Sequence, residues 1–138
     1  MKKERVLILC TGNSARSQMA EGLLRSMGGD KFEVESAGTV ASFVRPQAIA
    51  AMAEIDIDIT GHRSKCLDEF LGTAFDHIIT VCDNANQTCP AFPGRSERTH
   101  WSLDDPAEAI GTEEEKLAAF RTIRDQLIVK IKEFISSN

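Results

Sequence analysis

A chain of 138 residues, 42% of them hydrophobic, can bury a core as a single domain spanning 1–138 without disulfide staples. Its net charge of −5 argues against a nucleic-acid-binding face, and no apolar run approaches the ~20 residues of a membrane span. Four cysteines behind an N-terminus with no secretory pattern point to the cytoplasm, and to catalytic or redox thiols.

Met1-Lys2-Lys3-Glu4 leads straight into Val6–Leu9, a short buried-strand pattern. A cleaved signal peptide there would remove the residues that follow, so none is expected. Ser17–Ser26 reads as a helix with Met19, Leu23 and Leu24 on one face, stopped by Gly28-Gly29. Phe32–Ser36 alternates as a second strand. Pro46 opens an alanine-rich helix to Ile55, and Ser64 is placed to cap another over Lys65–Leu71. His77–Val81 is a third strand. Residues 82–97 look irregular, with a short helix allowed over Asp83–Thr88. Arg98–Trp101 is a fourth strand, and Asp104-Asp105-Pro106 marks a loop. Thr112 with Glu115 forms a capping box for a last helix running to about Phe134. Strands alternating with helices imply an α/β fold, a parallel sheet with helices on both faces.

Chemistry concentrates where strands end, which is where open α/β sheets bind ligands. Cys10-Thr11-Gly12-Asn13-Ser14-Ala15-Arg16 follows the first strand and precedes a helix. A small-residue loop of this kind turns its amides inward as an anion nest. The helix N-terminus adds partial positive charge, and Arg16 can clamp two oxyanion oxygens with a planar fork that lysine lacks. The same environment favours the Cys10 thiolate, with Ser17 placed to donate to its sulfur. Thr11, Gly12, Asn13, Ser14, Ala15, Arg16 and Ser17 are therefore the expected oxyanion-binding residues. Cys82 follows the third strand. If that strand lies beside the first, Cys10 and Cys82 are neighbours, because adjacent strands run ~4.8 Å apart. Cys82 and Cys89 do not have Cys-x₂-Cys metal spacing. His62 and His77 have no metal-like spacing, and His100 beside Trp101 reads as structural. No metal and no bound cofactor are expected. Cys66, near Leu67 and Phe70, reads as a core residue.

The Cys10–Ser17 loop with Asp105-Pro106 resembles the low-molecular-weight protein tyrosine phosphatase fold. Cys82 and Cys89 beside Pro90, with His100–Pro106, narrow the resemblance to the thioredoxin-coupled arsenate reductases built on that fold. It runs from about Val6 to the last helix and implies a four-stranded parallel sheet of order 2-1-3-4. It implies Cys10 as nucleophile, Arg16 as oxyanion clamp and Asp105 as general acid, with Asp104 the local competitor. It also implies a relay in which Cys82 attacks the Cys10 sulfur, Cys89 attacks Cys82, and thioredoxin reduces the Cys82–Cys89 disulfide. The implied partners are arsenate and thioredoxin; no nucleic acid, no membrane and a monomeric state are expected. Seven residues of α-helix separate Cα atoms by ~10.5 Å, whereas a disulfide needs ~4.4–6.8 Å. A helix between Cys82 and Cys89 would have to open for that bond to form.

The rival is a tyrosine phosphatase using Cys10, Arg16 and Asp105. Phosphatase relatives usually carry an aromatic residue after the Asp-Pro pair, where this chain has Ala107. One departure concerns cations. Some relatives carry a potassium site built in part from residues matching Asn13, Glu21 and Ser36, with a carboxylate where this chain has Lys65. The Lys65 ammonium is expected to stand in the cation's place against Glu21.

Overall fold

The computed structural model describes residues 3–82, 85, 89 and 92–138. Four strands, β1 (Glu4–Cys10), β2 (Phe32–Gly38), β3 (His77–Thr80) and β4 (Glu97–His100), form one sheet in the order β2-β1-β3-β4. Every neighbouring pair is parallel, as the resemblance implied. The helices are α1 (Arg16–Gly28), α2 (Pro46–Ala53) and α3 (Glu113–Ser137). β1 is central, and Val6–Leu9 are at most 1% exposed, which is why the strand reads as a continuous apolar run.

Register assigns the two faces. Val6 pairs with Val34 on one side and His77 on the other, so these residues share a face, together with Phe32 and Ile79 two positions along. Phe32 and His77 meet Phe134 of α3 there, at ring-centroid distances of 5.2 and 5.1 Å. Arg5, Leu7 and Leu9 point the other way. On that face the Arg5 guanidinium lies 5.3 Å from the Phe75 ring, and Phe75 stacks edge-on with Phe70 and Phe92. α3 also grips α2 by charge. Arg121 and Arg124 both donate to Glu54, at 2.6 and 2.8 Å, and these bonds hold the Glu54 carboxyl down at about 2.

Several elements depart from the sequence pattern. β1 and β2 run longer than expected because Cys10 pairs with Gly38 at their carboxyl ends. α2 stops at Ala53, and α3 continues past Phe134 to Ser137 from the expected Thr112–Glu115 capping box. The helix expected over Lys65–Leu71 is only a 3₁₀ turn, Leu67–Phe70. Ser64 does not cap it. Its hydroxyl is drawn instead to the Cys10 loop, where it donates to the Gly12 carbonyl at 3.0 Å and accepts from the Ser42 amide at 2.8 Å. Of the helix allowed over Asp83–Thr88, only Ala85 lies among the described residues; it is helical and buried.

Candidate active site

β1 delivers Cys10 to the carboxyl edge of the sheet, and the chain turns back through 11–15 into α1. The turn is held from outside. The Cys10, Thr11, Gly12 and Ser14 carbonyls accept from Thr39 N, Val40 N, Ser42 Oγ and Arg45 N at 3.1, 3.0, 2.8 and 2.9 Å. With the carbonyls engaged outward, the amides are left for the interior, and the Asn13 amide donates to Cys10 Sγ at 3.2 Å. α1 then starts at Arg16 with no side-chain cap, so its first-turn donors also face the site.

Asn13 organises this turn. Its φ of +48° is left-handed, a conformation asparagine tolerates better than most residues, and it is completely buried. Its Nδ2 donates to Ser17 Oγ and Ser36 Oγ at 2.7 and 2.9 Å, and its Oδ1 accepts from the Lys65 amide at 2.8 Å. Gln18 Nε2 donates to both Asn13 oxygens. The Gln18 oxygen therefore faces His62 Nδ1 at 3.0 Å, which assigns the proton to Nδ1 and leaves Nε2 to accept from Arg25. Burial lowers the His62 pKa below its ordinary value, and Arg25 and Lys65 push the same way against Glu21.

The sequence did not mark Gln18 as part of the loop, since a glutamine near a helix start has no distinctive pattern. Gly38 was missed as well. A Cβ there would lie 2.5 Å from the Thr11 carbonyl oxygen and 2.7 Å from the Asn13 nitrogen, so only glycine allows β2 to pass the loop this closely.

Ser17 sits where expected, with its hydroxyl 2.8 Å from Cys10 Sγ. One expectation needs correction. The thiol is 2% exposed, and burial pushes its pKa above the ordinary value. Ser17, Arg16 and the Asn13 amide all pull it down, but desolvation outweighs them. The loop thus offsets part of the burial cost of a Cys10 thiolate.

Arg16, also buried, reaches across to the loop after β4. It donates to the Leu103 carbonyl at 3.0 Å, and its Nη2 lies 3.8 Å from Asp105 Oδ2. Asp105 has a second task. Its Oδ1 accepts from the Ala107 amide at 3.0 Å and caps the 3₁₀ turn Pro106–Glu108. Asp104 is exposed.

β1 and β3 are neighbours, and Cys82 meets the loop as expected. Its Sγ lies 3.2 Å from Thr11 Oγ1 and accepts from the Ala85 amide at 3.4 Å. Cys89 is half-buried; burial pushes its thiol up while the neighbouring Arg98 pulls it back. Cys66 is only half-buried, not a core residue. It bridges to Gly38 at the sheet edge, and its thiol points at the Thr39 carbonyl, 3.7 Å away. None of the four cysteines is in a disulfide.

Lys65 is buried, with Nζ 2.8 Å from Glu35 and 3.6 Å from Glu21, so its closer partner is Glu35. Glu21 also takes Arg25 at 2.9 Å. His77 lies between Glu4 and Glu97, and His100 bonds Thr80. No helix among the described residues is long and apolar enough to cross a membrane.

Residues 5–137 match the family model of the low molecular weight phosphotyrosine protein phosphatases. An arsenate reductase of Halalkalibacterium halodurans is 48% identical over 134 residues, 97% of this chain and 96% of that one. A solved arsenate reductase in its oxidized state superposes with a TM-score of 0.82 at 33% identity, covering 97% of this chain and 98% of that one. A thioredoxin-dependent arsenate reductase of Corynebacterium glutamicum is 29% identical with a TM-score of 0.75, covering 98% of this chain and 61% of that longer one. The Cys10 loop, the second thiol beside it and these likenesses over nearly the whole length agree: the chain belongs to the low molecular weight phosphotyrosine protein phosphatase family, among its arsenate reductases.

Proposed function

We propose that this protein reduces arsenate to arsenite in the cytoplasm, as a monomer, with electrons from thioredoxin. The Cys10 thiolate attacks arsenic(V), and an oxygen departs as water with the proton that Asp105 supplies. The loop amides and Arg16 hold the remaining oxygens as charge shifts among them. Cys82 then attacks the Cys10 sulfur. The electron pair of the sulfur–arsenic bond passes to arsenic, arsenite leaves, and a Cys10–Cys82 disulfide forms. Cys89 attacks Cys82, freeing Cys10 and leaving Cys82–Cys89 oxidised. Reduced thioredoxin returns that disulfide to two thiols.

The observation that carries this reading is the contact of Cys82 Sγ with Thr11 at 3.2 Å. Phosphate transfer has no use for a second thiol against the oxyanion loop, whereas a two-electron reduction requires one. Cys10, Arg16 and Asp105 alone would serve a phosphatase, so the test separates the two. Cys82→Ser should end arsenate turnover in an assay coupled to thioredoxin, thioredoxin reductase and NADPH, yet keep slow aryl-phosphate hydrolysis. Continued arsenate turnover by that variant would refute the relay. Cys89→Ser should stop after about one turnover with Cys10 and Cys82 joined, which peptide mass spectrometry would detect.

We also propose that Lys65 stands in for a bound cation beside Glu21. A fixed ammonium between Glu21 and Glu35 repels a potassium ion from the same space.

A further inference from the structure

The relay calls on three thiols in turn, and each stands against its own donor. Cys10 Sγ accepts from the Asn13 amide at 3.2 Å and lies 2.8 Å from Ser17 Oγ. Cys82 Sγ accepts from the Ala85 amide at 3.4 Å. Cys89 meets Arg98, whose guanidinium hydrogen-bonds its sulfur. Cys66, which has no part in the relay, shows the opposite arrangement. Its thiol is aimed at an acceptor, the Thr39 carbonyl, 3.7 Å away. A carbonyl holds a thiol in its protonated form, whereas an N–H donor favours the thiolate.

The fold brings Arg98 and Cys89 together. Ile78 pairs with Leu7 on one side and Arg98 on the other, so Arg98 belongs to the sheet face that carries Leu7 and Phe75. Phe92, three residues after Cys89, is buried and stacks edge-on against Phe75, with ring centroids 6.0 Å apart. Phe92 thus anchors Cys89 to the face from which Arg98 projects. Cys89 itself is half-buried and packs against the apolar core. Burial works against its ionisation, and the charge and hydrogen bond of Arg98 work for it. Arg98 is exposed on β4, an edge strand, so its long side chain has room to follow the sulfur as it moves.

We infer that Arg98 is a further catalytic residue, whose guanidinium holds Cys89 as the thiolate that attacks Cys82. The inference rests on the relay proposed above. Cys89 gives its proton to solvent, and its sulfur attacks Cys82 Sγ of the Cys10–Cys82 disulfide. The Cys82–Cys89 bond forms, and Cys10 leaves as a thiolate with no net oxidation. The two earlier steps use Cys10, Arg16, Asp105 and Cys82, so loss of Arg98 should be felt in this one.

Arg98→Gln and Arg98→Lys test this on the full chain. A thiol whose thiolate fraction falls about tenfold gains nucleophilicity as its basicity rises, so its rate near neutral pH falls by about threefold. Quenched flow with one equivalent of arsenate, read by peptide mass spectrometry, follows each disulfide. In Arg98→Gln the Cys10–Cys82 bond should form at the normal rate, and its conversion to Cys82–Cys89 should slow by about threefold or more. Arg98→Lys keeps the charge and should recover most of that rate. Alkylation of Cys89 by iodoacetamide, without arsenate, is the second measurement: its midpoint should move to higher pH in Arg98→Gln. Circular dichroism checks the fold of both variants. An unmoved midpoint with normal conversion in Arg98→Gln would overturn the role of Arg98 and leave the relay standing. Slowed formation of the Cys10–Cys82 bond itself would also overturn it, by showing a general disturbance of the site. Absence of both disulfides in the unaltered protein would refute the relay, and the role of Arg98 with it.

Discussion

The loop after β1 and the loop after β4 reach the same edge of the sheet, yet they are held very differently. The Cys10 loop is tied down along its length. Its carbonyls are bonded outward, Asn13 is fully buried in a strained conformation, and Gly38 passes at backbone contact. Among the described residues, the Asp105 loop is held by a short turn, the hydrogen bond from Arg16 to Leu103, a 3.8 Å ion pair and a contact of Ser102. The Asp105 side chain is one-third exposed. Binding an oxyanion calls for donors that do not reorganise. In the proposed reaction the proton donor must approach a leaving oxygen whose position shifts, and a loop held by a short turn and a long ion pair permits that.

If this contrast is right, damage to the two loops should separate in kinetics. Asp105→Asn should lower the rate of arsenite release in single turnover by roughly 10²–10⁴-fold, the usual range for general acid catalysis. Arsenate affinity should change little, because the amide can still cap the 3₁₀ turn. An unchanged rate would remove Asp105 from the mechanism.

Gly38→Ala is the complementary break. Its methyl would strike the Thr11 and Asn13 backbone, so the loop must move. Overpacking of this kind costs about 1–3 kcal/mol, and a displaced oxyanion cradle about 10²-fold in turnover. Here, unlike Asp105→Asn, phosphate and arsenate binding should weaken too. A variant with normal affinity would show that the loop can yield, and the contrast with the Asp105 loop would fail.

The polar brace behind the Cys10 loop should also be sensitive to acid. The folded pKa of His62 lies below its unfolded value of ~6.5. On acidification the unfolded chain takes up this proton first, so the stability contributed by neutral His62 is full above pH ~6.5 and falls as the pH drops through that value. Melting temperature should therefore decline between pH 7.5 and 5.5, and His62→Ala should flatten that slope. A second loss belongs to Glu54, well away from the loop. Its carboxyl is held at about 2, so its contribution is present above the ordinary carboxylate range and fades from ~4.5 downward.

The smallest effect should come from cations. Potassium should change melting temperature and arsenate turnover no more than sodium at matched ionic strength. Lys65→Asp should introduce a potassium dependence and lower activity when the ion is absent. A large potassium-specific gain in the unaltered protein would mean that a cation site persists beside Lys65.

Local chemistry was legible in the residues themselves. Cys10, Ser17 and Arg16 lie within eight positions, so strand, loop and helix start bring them together whatever the rest of the chain does. The Thr112–Glu115 capping box could be read for the same reason, since it closes within one helical turn. Parallel strand pairing and the covering of both sheet faces followed from alternating elements, and the resemblance supplied the strand order. What depended on distant segments could not be read this way. Ser64 looks like a helix cap until its hydroxyl is seen bonded to Gly12, 52 residues away. Gly38 looks like an ordinary strand end until Thr11 and Asn13 lie against it. Lys65 was expected on Glu21, and the register of β2 brings Glu35 nearer. The direction of the Cys10 shift also required the fold, because composition reveals the donors around a thiol but not how completely it is dried. Sequence fixes covalent spacing, and so whatever forms within a turn or two; tertiary packing decides desolvation and every contact that closes a long loop.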